Sequence, residues 1–364
     1  MNNNRLYFID IIRAFAILMM LQGHFINTLL ADSYKDLNAI PYSVWSYFRG
    51  ITAPTFFTIS GLIFTYLLLK AREKRQENIR MRKGIIRGFF LIGIGYLLRI
   101  PFLSWFSGYF NDYFLVIDVL QCIGLSLILI IVIYFLCAKK ILIFSTILLF
   151  SGFLIFVSEP LYRAISFDSI PLLFNNYVSK SNGSVFTIFP WFGYIAFGAA
   201  IATLFHAYSH KKHFKKISIV SFFTVGWILI ISSSDILIFL YEFMNIQLFL
   251  EAANYNYLFT RLGNVFLYFA FFYAFEKYLK FPLILKIGQK TLSIYVIHFT
   301  IIYGSFIGIG LNSIIGKTLT PWQAIFGALM FIAVVCFISF HYVKTNAFVY
   351  ARLRSLFDKI KNKR

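Results

Sequence analysis

Apolar residues run through the chain in long stretches, and short polar or basic segments separate them. A membrane-spanning helix needs about 20 consecutive apolar residues, so stretches of that length predict spans. Ten are expected, at roughly 9–31, 44–69, 88–106, 114–137, 141–158, 185–205, 217–241, 257–276, 291–310 and 321–343. The pattern predicts an all-α, polytopic integral membrane protein with one transmembrane domain over residues 1–343 and a basic tail over 344–364. The first apolar stretch is long enough to span and has no small-residue cleavage site, so it reads as a span and not as a signal peptide. No internal repeat, low-complexity tract or second soluble domain stands out.

The connecting segments orient the chain. With the N-terminus inside, the inner segments are 70–87, 138–140, 206–216, 277–290 and the tail. The first alone carries Lys70, Arg72, Lys74, Arg75, Arg80, Arg82, Lys83 and Arg87, whereas all the outer segments together hold only Lys35, Arg163, Lys180 and Lys317. Basic residues collect on the cytoplasmic side, so both termini are expected inside with an even number of spans. The outer segment 159–184, with Glu159, Pro160, Asp168 and Pro171, is long enough to cover a site or to serve only as a connector.

Composition narrows the class. Lys and Arg number 34 against 14 Asp and Glu, a net charge of +20. In a soluble protein that excess would suggest nucleic acid. Here 60% of residues are hydrophobic and 13% charged, against about 25% charged in soluble domains. A cytosolic globular enzyme, a disordered chain and a nucleic-acid partner are therefore excluded. Cys122, Cys137 and Cys336 form no close pair, which argues against a disulfide framework or a zinc site. No metal is expected, and the expected location is a bacterial inner membrane.

Ionisable groups at membrane depth are costly and so are candidates for function. The first span carries Asp10, Arg13 and His24. Arg13 and His24 differ by about 20° around a helix axis and about 16.5 Å along it, with Asp10 within about 60° of Arg13. One helix face thus bears an acid and a guanidinium near the cytoplasmic end and an imidazole past the midplane. The competing structural reading is an interfacial Asp10–Arg13 pair with a snorkelling arginine and a packing histidine; the three-turn alignment weighs against it. In the second span, Pro54 predicts a kink and Ser60-Gly61 a close helix approach. Arg49, Arg99 and Arg261 fall towards outer span ends, where they suit an anionic or sugar substrate or simply snorkel. Asp118, Gln121 and His298 are further polar groups at depth, and a lone histidine such as His298 is more often structural. His206, His210 and His213 have metal-like spacing, but lysines surround them, as in a solvated basic loop. The basic 70–87 segment suits cytosolic phosphates, or serves only as the topology signal beside anionic lipid.

Several segments, in order, resemble the transmembrane acyltransferase superfamily, which includes acyltransferase-3 and heparan-alpha-glucosaminide N-acetyltransferase-like proteins. Arg5…Ile9-Asp10-Ile-Ile-Arg13-Ala14…His24 resembles its opening signature, with Ala14 where Gly is common. Ala53-Pro54-Thr-Phe-Phe-Thr-Ile-Ser60-Gly61 resembles the second-helix pattern. Asp118-Val-Leu-Gln121-Cys-Ile-Gly124 and Phe189-Pro190-Trp191-Phe-Gly193-Tyr-Ile-Ala-Phe-Gly198 resemble segments of the glucosaminide branch, and Leu292-Ser-Ile-Tyr295-Val-Ile-His298 a late pattern of both branches. The resemblance implies an acyl-CoA-dependent O- or N-acyltransferase. Its donor would be cytosolic acetyl-CoA, and its acceptor a hydroxyl or amine of an extracytoplasmic glycan or glycolipid. It further implies His24 as catalytic, either as general base or as acyl carrier. Asp10 and Arg13 would then orient His24 or the CoA. Arg87, Lys83, Gln121 and Ser60 are the candidate CoA contacts; His298, Arg261 and Arg99 are candidates for the acceptor side. Partners would be acyl-CoA, the acceptor, membrane lipid and a second copy in a homodimer. A different class, a secondary transporter or exporter of an anionic or lipid-linked solute, also suits buried Arg, Asp and His.

Overall fold

The computed structural model describes residues 6–361 apart from 111, 138 and 168, with side chains described as far as residue 341. Arg5, Asp168 and the basic side chains of the tail lie outside the described set. The described chain is helical and forms no strand; its one extended pairing is an isolated bridge between Leu30 and Leu319.

Helices lie at all ten expected places, but only six segments are long and apolar enough to cross a membrane: Tyr7–Leu29, Ile40–Glu73, Asp112–Leu136, Ile188–Tyr208, Phe214–Ile231 and Pro321–His341. A seventh arises if Pro282–Gln289 and Thr291–Ile307, bent by 71°, count as one span. The shortfall from ten has local causes. The helix expected at 88–106 starts earlier, at Glu77, so Arg80, Arg82, Lys83 and Arg87 fall within it. The one at 141–158 is 17 residues long. The stretch 217–241 still supplies a span, although it breaks at Ser232 into two helices. The helix over 257–276 carries Arg261 and Asn264, which lower its hydropathy. The one expected at 291–310 stops after 13 residues, where Gly304 takes a left-handed φ of 76°. The last helix continues unbroken from Pro321 to Lys361 across the expected domain–tail boundary.

The principal helices are α1 (Tyr7–Leu29), α2 (Ile40–Arg49), α3 (Thr52–Glu73), α4 (Glu77–Arg99), α5 (Val119–Leu136), α6 (Ile141–Val157), α7 (Ile188–Tyr208), α8 (Phe214–Ile231), α9 (Ser233–Met244), α10 (Tyr257–Ala274), α11 (Pro282–Gln289), α12 (Thr291–Tyr303) and α13 (Pro321–Lys361). Helix α1 is central. Phe8, Ile11, Ile12, Ile17 and Leu21 on it are fully buried, and it packs on α3, α10, α11, α12 and α13. Its first turn lacks a capping side chain of its own; instead Phe8 N donates to Glu276 Oε1 at 3.1 Å.

Helix pairs meet through glycines, as expected where lipid supplies no hydrophobic drive and close backbone packing must hold helices together. A Cβ on Gly61 would lie 2.0 Å from Ile195 O, and one on Gly198 1.8 Å from Thr58 O, so α3 and α7 touch backbone to backbone. Gly88 with Gly124 joins α4 to α5, and Gly226 with Gly263 joins α8 to α10, in the same reciprocal way. Helices α3 and α7 run parallel: the Phe57 and Trp191 rings meet near their starts, and Glu73 pairs with His206 near their ends. Segment 159–184, expected on the outside, is more than a connector. Glu159, Asn175, Asn176, Ser179 and Ser184 are buried, and Ser184 Oγ accepts from Ile117 N at 3.0 Å.

Candidate active site

Helices α1, α3, α4, α5 and α12 surround a cavity of about 930 Å³. That is at the upper end of small-molecule sites, about 300–1,000 Å³. One end is basic, walled by Arg13, Lys70, Arg80 and Arg87 together with Asp10 and Thr291. The middle is mostly apolar, with Ile17, Met20, Ile59, Ile63, Leu91 and Leu127 around the lone hydroxyl of Ser60. The far end is polar again: His24, Asn27, Arg49, Arg99, Asp118 and Tyr303. Its extent follows from the helices. Arg80 and Arg99 lie about 28 Å apart along α4 at 1.5 Å per residue.

At the basic end, Arg13 is held from two sides. Its Nη2 donates to Thr291 Oγ1 at 2.7 Å, and its Nη1 lies 3.7 Å from Asp10 Oδ1. The i,i+3 spacing brings Asp10 under the guanidinium, and the close approach of Gly288 on α11 to Asp10 O fixes the partner helix. Lys70 Nζ lies over the Tyr66 ring and the Arg80 guanidinium over Phe64, so aromatic faces hold both cations at the cavity wall.

At the far end, His24 Nδ1 lies 2.8 Å from the Tyr303 hydroxyl, which also hydrogen-bonds the Thr28 side chain one turn along α1. Arg49 packs its aliphatic stem against Gly23, and its guanidinium lies over the Trp45 ring. Across the cavity, Arg99 Nη2 donates to Asp118 Oδ2 at 3.0 Å, and the guanidinium lies over the rings of Tyr113 and Phe299. Asp118 is also the N-cap of α5, accepting from Val119 N at 2.8 Å.

The structure brings Asp10, Arg13, His24, Ser60, Arg87 and Arg99 onto one cavity wall, and leaves four other sequence candidates off it. Gln121 is fully buried at the far end, not the basic end. Its Oε1 accepts from Asp118 N in a capping box, and its side chain packs on Gly95. Lys83 points away from the cavity on the exposed side of α4. Arg261 donates to Tyr47 O and stacks on the Tyr47 ring, so it fastens α2 to α10. His298 is fully buried behind His24, with ring centroids 5.2 Å apart. Ser60 lines the cavity but donates its proton to Phe56 O on its own helix.

Tyr303, Arg49, Asp118, Arg80 and Lys70 complete the wall. In the sequence Arg49 was visible as an arginine towards an outer span end, and Asp118 as a polar group at depth. Tyr303 carried no signal beyond its place just before a helix-ending glycine. Among the described residues, no group of three or more His, Cys, Asp or Glu side chains is placed to hold a metal ion, so the histidines around the α7–α8 turn form no such set.

An apolar helical bundle enclosing a cavity with ionisable groups at both ends is the architecture of a polytopic membrane enzyme or carrier. The sequence decides between these two. Residues 5–243 match the catalytic family of heparan-alpha-glucosaminide N-acetyltransferase, about two thirds of the chain, and the protein belongs to this family of membrane acetyltransferases. No curated protein matches the chain.

Proposed function

We propose that the protein transfers an acetyl group from acetyl-CoA, bound at the basic end of the cavity, to a hydroxyl or amine of an acceptor at the His24 end. The observation that carries this reading is the continuity of one cavity from Arg13, Lys70, Arg80 and Arg87 to His24. By the positive-inside rule the basic end faces the cytosol, both termini are cytoplasmic, and the His24 end opens to the outside of a bacterial inner membrane. The acceptor is then an extracytoplasmic glycan or glycolipid.

In this reading Arg13, Lys70, Arg80 and Arg87 take the phosphates of the donor, since guanidinium and ammonium groups bind phosphate by charge-assisted hydrogen bonds. The apolar middle admits the pantetheine arm and excludes water from the thioester. With Nδ1–H donating to the Tyr303 oxygen, His24 presents the lone pair of Nε2 to the cavity. The acceptor heteroatom attacks the thioester carbonyl carbon, and its proton passes to Nε2. The carbon–sulfur bond then breaks, and the departing thiolate takes that proton, giving the acetylated acceptor and free CoA. Arg99, fixed by Asp118, contacts the acceptor, while His298, Gln121 and Arg261 hold the surrounding helices.

The test is acetyl-CoA binding and CoA release by purified protein in detergent, with wild type beside His24→Ala and Arg13→Ala. Wild type is expected to bind the donor and slowly release CoA. Arg13→Ala should bind more weakly, and His24→Ala should bind without release. Full CoA release by His24→Ala would overturn the assignment of His24, and absence of acetyl-CoA binding would overturn the assignment of the donor.

A further inference from the structure

A second cavity, of about 510 Å³, lies apart from the first, between α7 and α8 where the chain turns at the basic end. Its mouth is set by Lys211, Lys212 and His213 in the α7–α8 turn, and its walls are apolar, with Leu204, Ile217 and Phe222 among them. Three observations constrain what it takes. First, it opens on the periphery of the bundle. Only 17% of the apolar stretch in α8 is buried, against 72% for α7, so α8 turns most of its apolar surface outward. Leu204 and Ile217, at the rim, are 53% and 61% exposed. Second, Lys211 and Lys212 at the mouth face no carboxylate within ion-pairing distance among the described residues, whereas Lys215 is paired with Glu276 at 2.9 Å. Third, Lys211 Nζ lies 4.7 Å over the Tyr208 ring, which holds one ammonium at the mouth.

An apolar groove reached from the bilayer and closed at the membrane surface by unpaired cations fits an amphiphile with an anionic head. We propose that this groove binds an anionic phospholipid, with its phosphate on Lys211, Lys212 and His213 and an acyl chain against Leu204, Ile217 and Phe222. A soluble phosphate would gain nothing from the apolar walls, and a zwitterionic lipid would leave the cations uncompensated. Basic pockets between transmembrane helices on the cytoplasmic side are a recurrent lipid-headgroup chemistry. The bound lipid would brace α8 against α7, and α7 is the helix in backbone contact with the cavity-lining α3. The proposal does not depend on the acetyl-transfer reading.

The experiment is native mass spectrometry of the full-length protein in detergent, offered phosphatidylglycerol, phosphatidylcholine or inorganic phosphate. Wild type is expected to retain one phosphatidylglycerol in preference to phosphatidylcholine, and inorganic phosphate in excess should not displace it. The triple variant Lys211→Gln, Lys212→Gln, His213→Gln should retain at least fivefold less. Ser221→Trp fills the groove and leaves every charge in place, so it should also lose the lipid. Equal retention of the two lipids by wild type would overturn the proposal. So would retention of phosphatidylglycerol by Ser221→Trp at the wild-type level, since the site would then be a charged surface alone.

Discussion

His24 Nδ1 and the Tyr303 hydroxyl are 2.8 Å apart, and this bond joins the C-terminal parts of α1 and α12, whose N-terminal parts are joined by Arg13 and Thr291 at 2.7 Å. Two helices are thus tied at both ends of the same cavity, and each tie involves a residue on its wall. With Nδ1 engaged by Tyr303, Nε2 is the ring nitrogen left for the acceptor in the proposed reaction. His24→Gln keeps a polar side chain but no base, and is expected to lower acetyl transfer by about 100–10,000-fold. Tyr303→Phe removes only the orienting partner. It should reduce turnover by about tenfold with little change in the KM for acetyl-CoA, the split expected when a base is misoriented and the donor site is intact. Labelled-acetyl transfer at varied donor concentration measures both.

At the opposite end of α1, Arg13 is expected to act on the donor. Losing a charge-assisted hydrogen bond costs about 1.5–3 kcal/mol. Arg13→Gln should therefore raise the Kd for acetyl-CoA by about 10–100-fold. Thr291→Val, which removes the partner and keeps the charge, should raise it by less than about fivefold. Equal effects of the two substitutions would show that Arg13 serves packing and not the ligand. Titration of tryptophan fluorescence with CoA separates the outcomes.

How far this architecture was legible in the sequence depends on the kind of feature. The alignment of Arg13 and His24 on one face of the first span is a property of helix geometry alone, and both do line one wall. Gln121 is different. Its depth in an apolar stretch suggested a ligand contact, but Asp118-Val-Leu-Gln121 also has the Asp-x-x-Gln spacing of a capping box, and the cap is where its Oε1 is engaged. Arg261 and His298 have no comparable local signal. Their partners, Tyr47 and His24, are brought together only by tertiary packing. Hydropathy likewise locates apolar stretches without marking where the backbone breaks, so the interruptions at Ser232 and Gly304 were invisible to a window average.

The Arg99–Asp118 pair makes a stability prediction. Both side chains are largely shielded, with 11% and 14% exposure, and Asp118 also caps α5. Removing one member of a shielded pair leaves the other uncompensated. Asp118→Asn is therefore expected to destabilise by about 2–3 kcal/mol, of which about 1 kcal/mol or less is the weakened cap. The double variant Arg99→Met, Asp118→Asn should recover part of that loss. Thermal unfolding in detergent across the double-mutant cycle measures the coupling, and a cycle that sums to zero would mean the pair is not a structural unit.

Outside the membrane, Asp32 predicts a pH dependence. Its carboxylate bonds Lys35 at 2.7 Å and Lys317 at 3.0 Å, and these contacts hold its pKa below the ordinary value of 3.8. A depressed carboxylate contributes stability that is present above the unfolded-state pKa and is lost as the pH falls below it. The contact beside the Leu30–Leu319 bridge should therefore weaken in acid, and wild type should lose more stability than Asp32→Asn between about pH 5 and pH 3. The group is fully exposed, so the difference should be small and should shrink further in high salt. Parallel unfolding curves for the two proteins across this range would remove Asp32 as the source.

The glycine contacts give the sharpest packing test. A Cβ on Gly61 would fall 2.0 Å from Ile195 O, a distance no pair of atoms can keep, and the obstacle is backbone and not a movable side chain. Gly61→Ala must therefore separate α3 from α7. Overpacking of this kind typically costs about 1–3 kcal/mol, and the rigid obstacle places this variant at the upper end or beyond. Because α3 carries Ser60, Ile59 and Ile63 on the cavity wall, the same shift should also impair donor binding. Gly93 is the internal control. It too lies within a helix, but a Cβ there meets nothing within 4 Å, so Gly93→Ala should be neutral or slightly stabilising through helix propensity. Thermal unfolding and acetyl-CoA binding on the two alanine variants side by side decide the matter, and a Gly61→Ala protein as stable as Gly93→Ala would mean that α3 and α7 do not meet backbone to backbone.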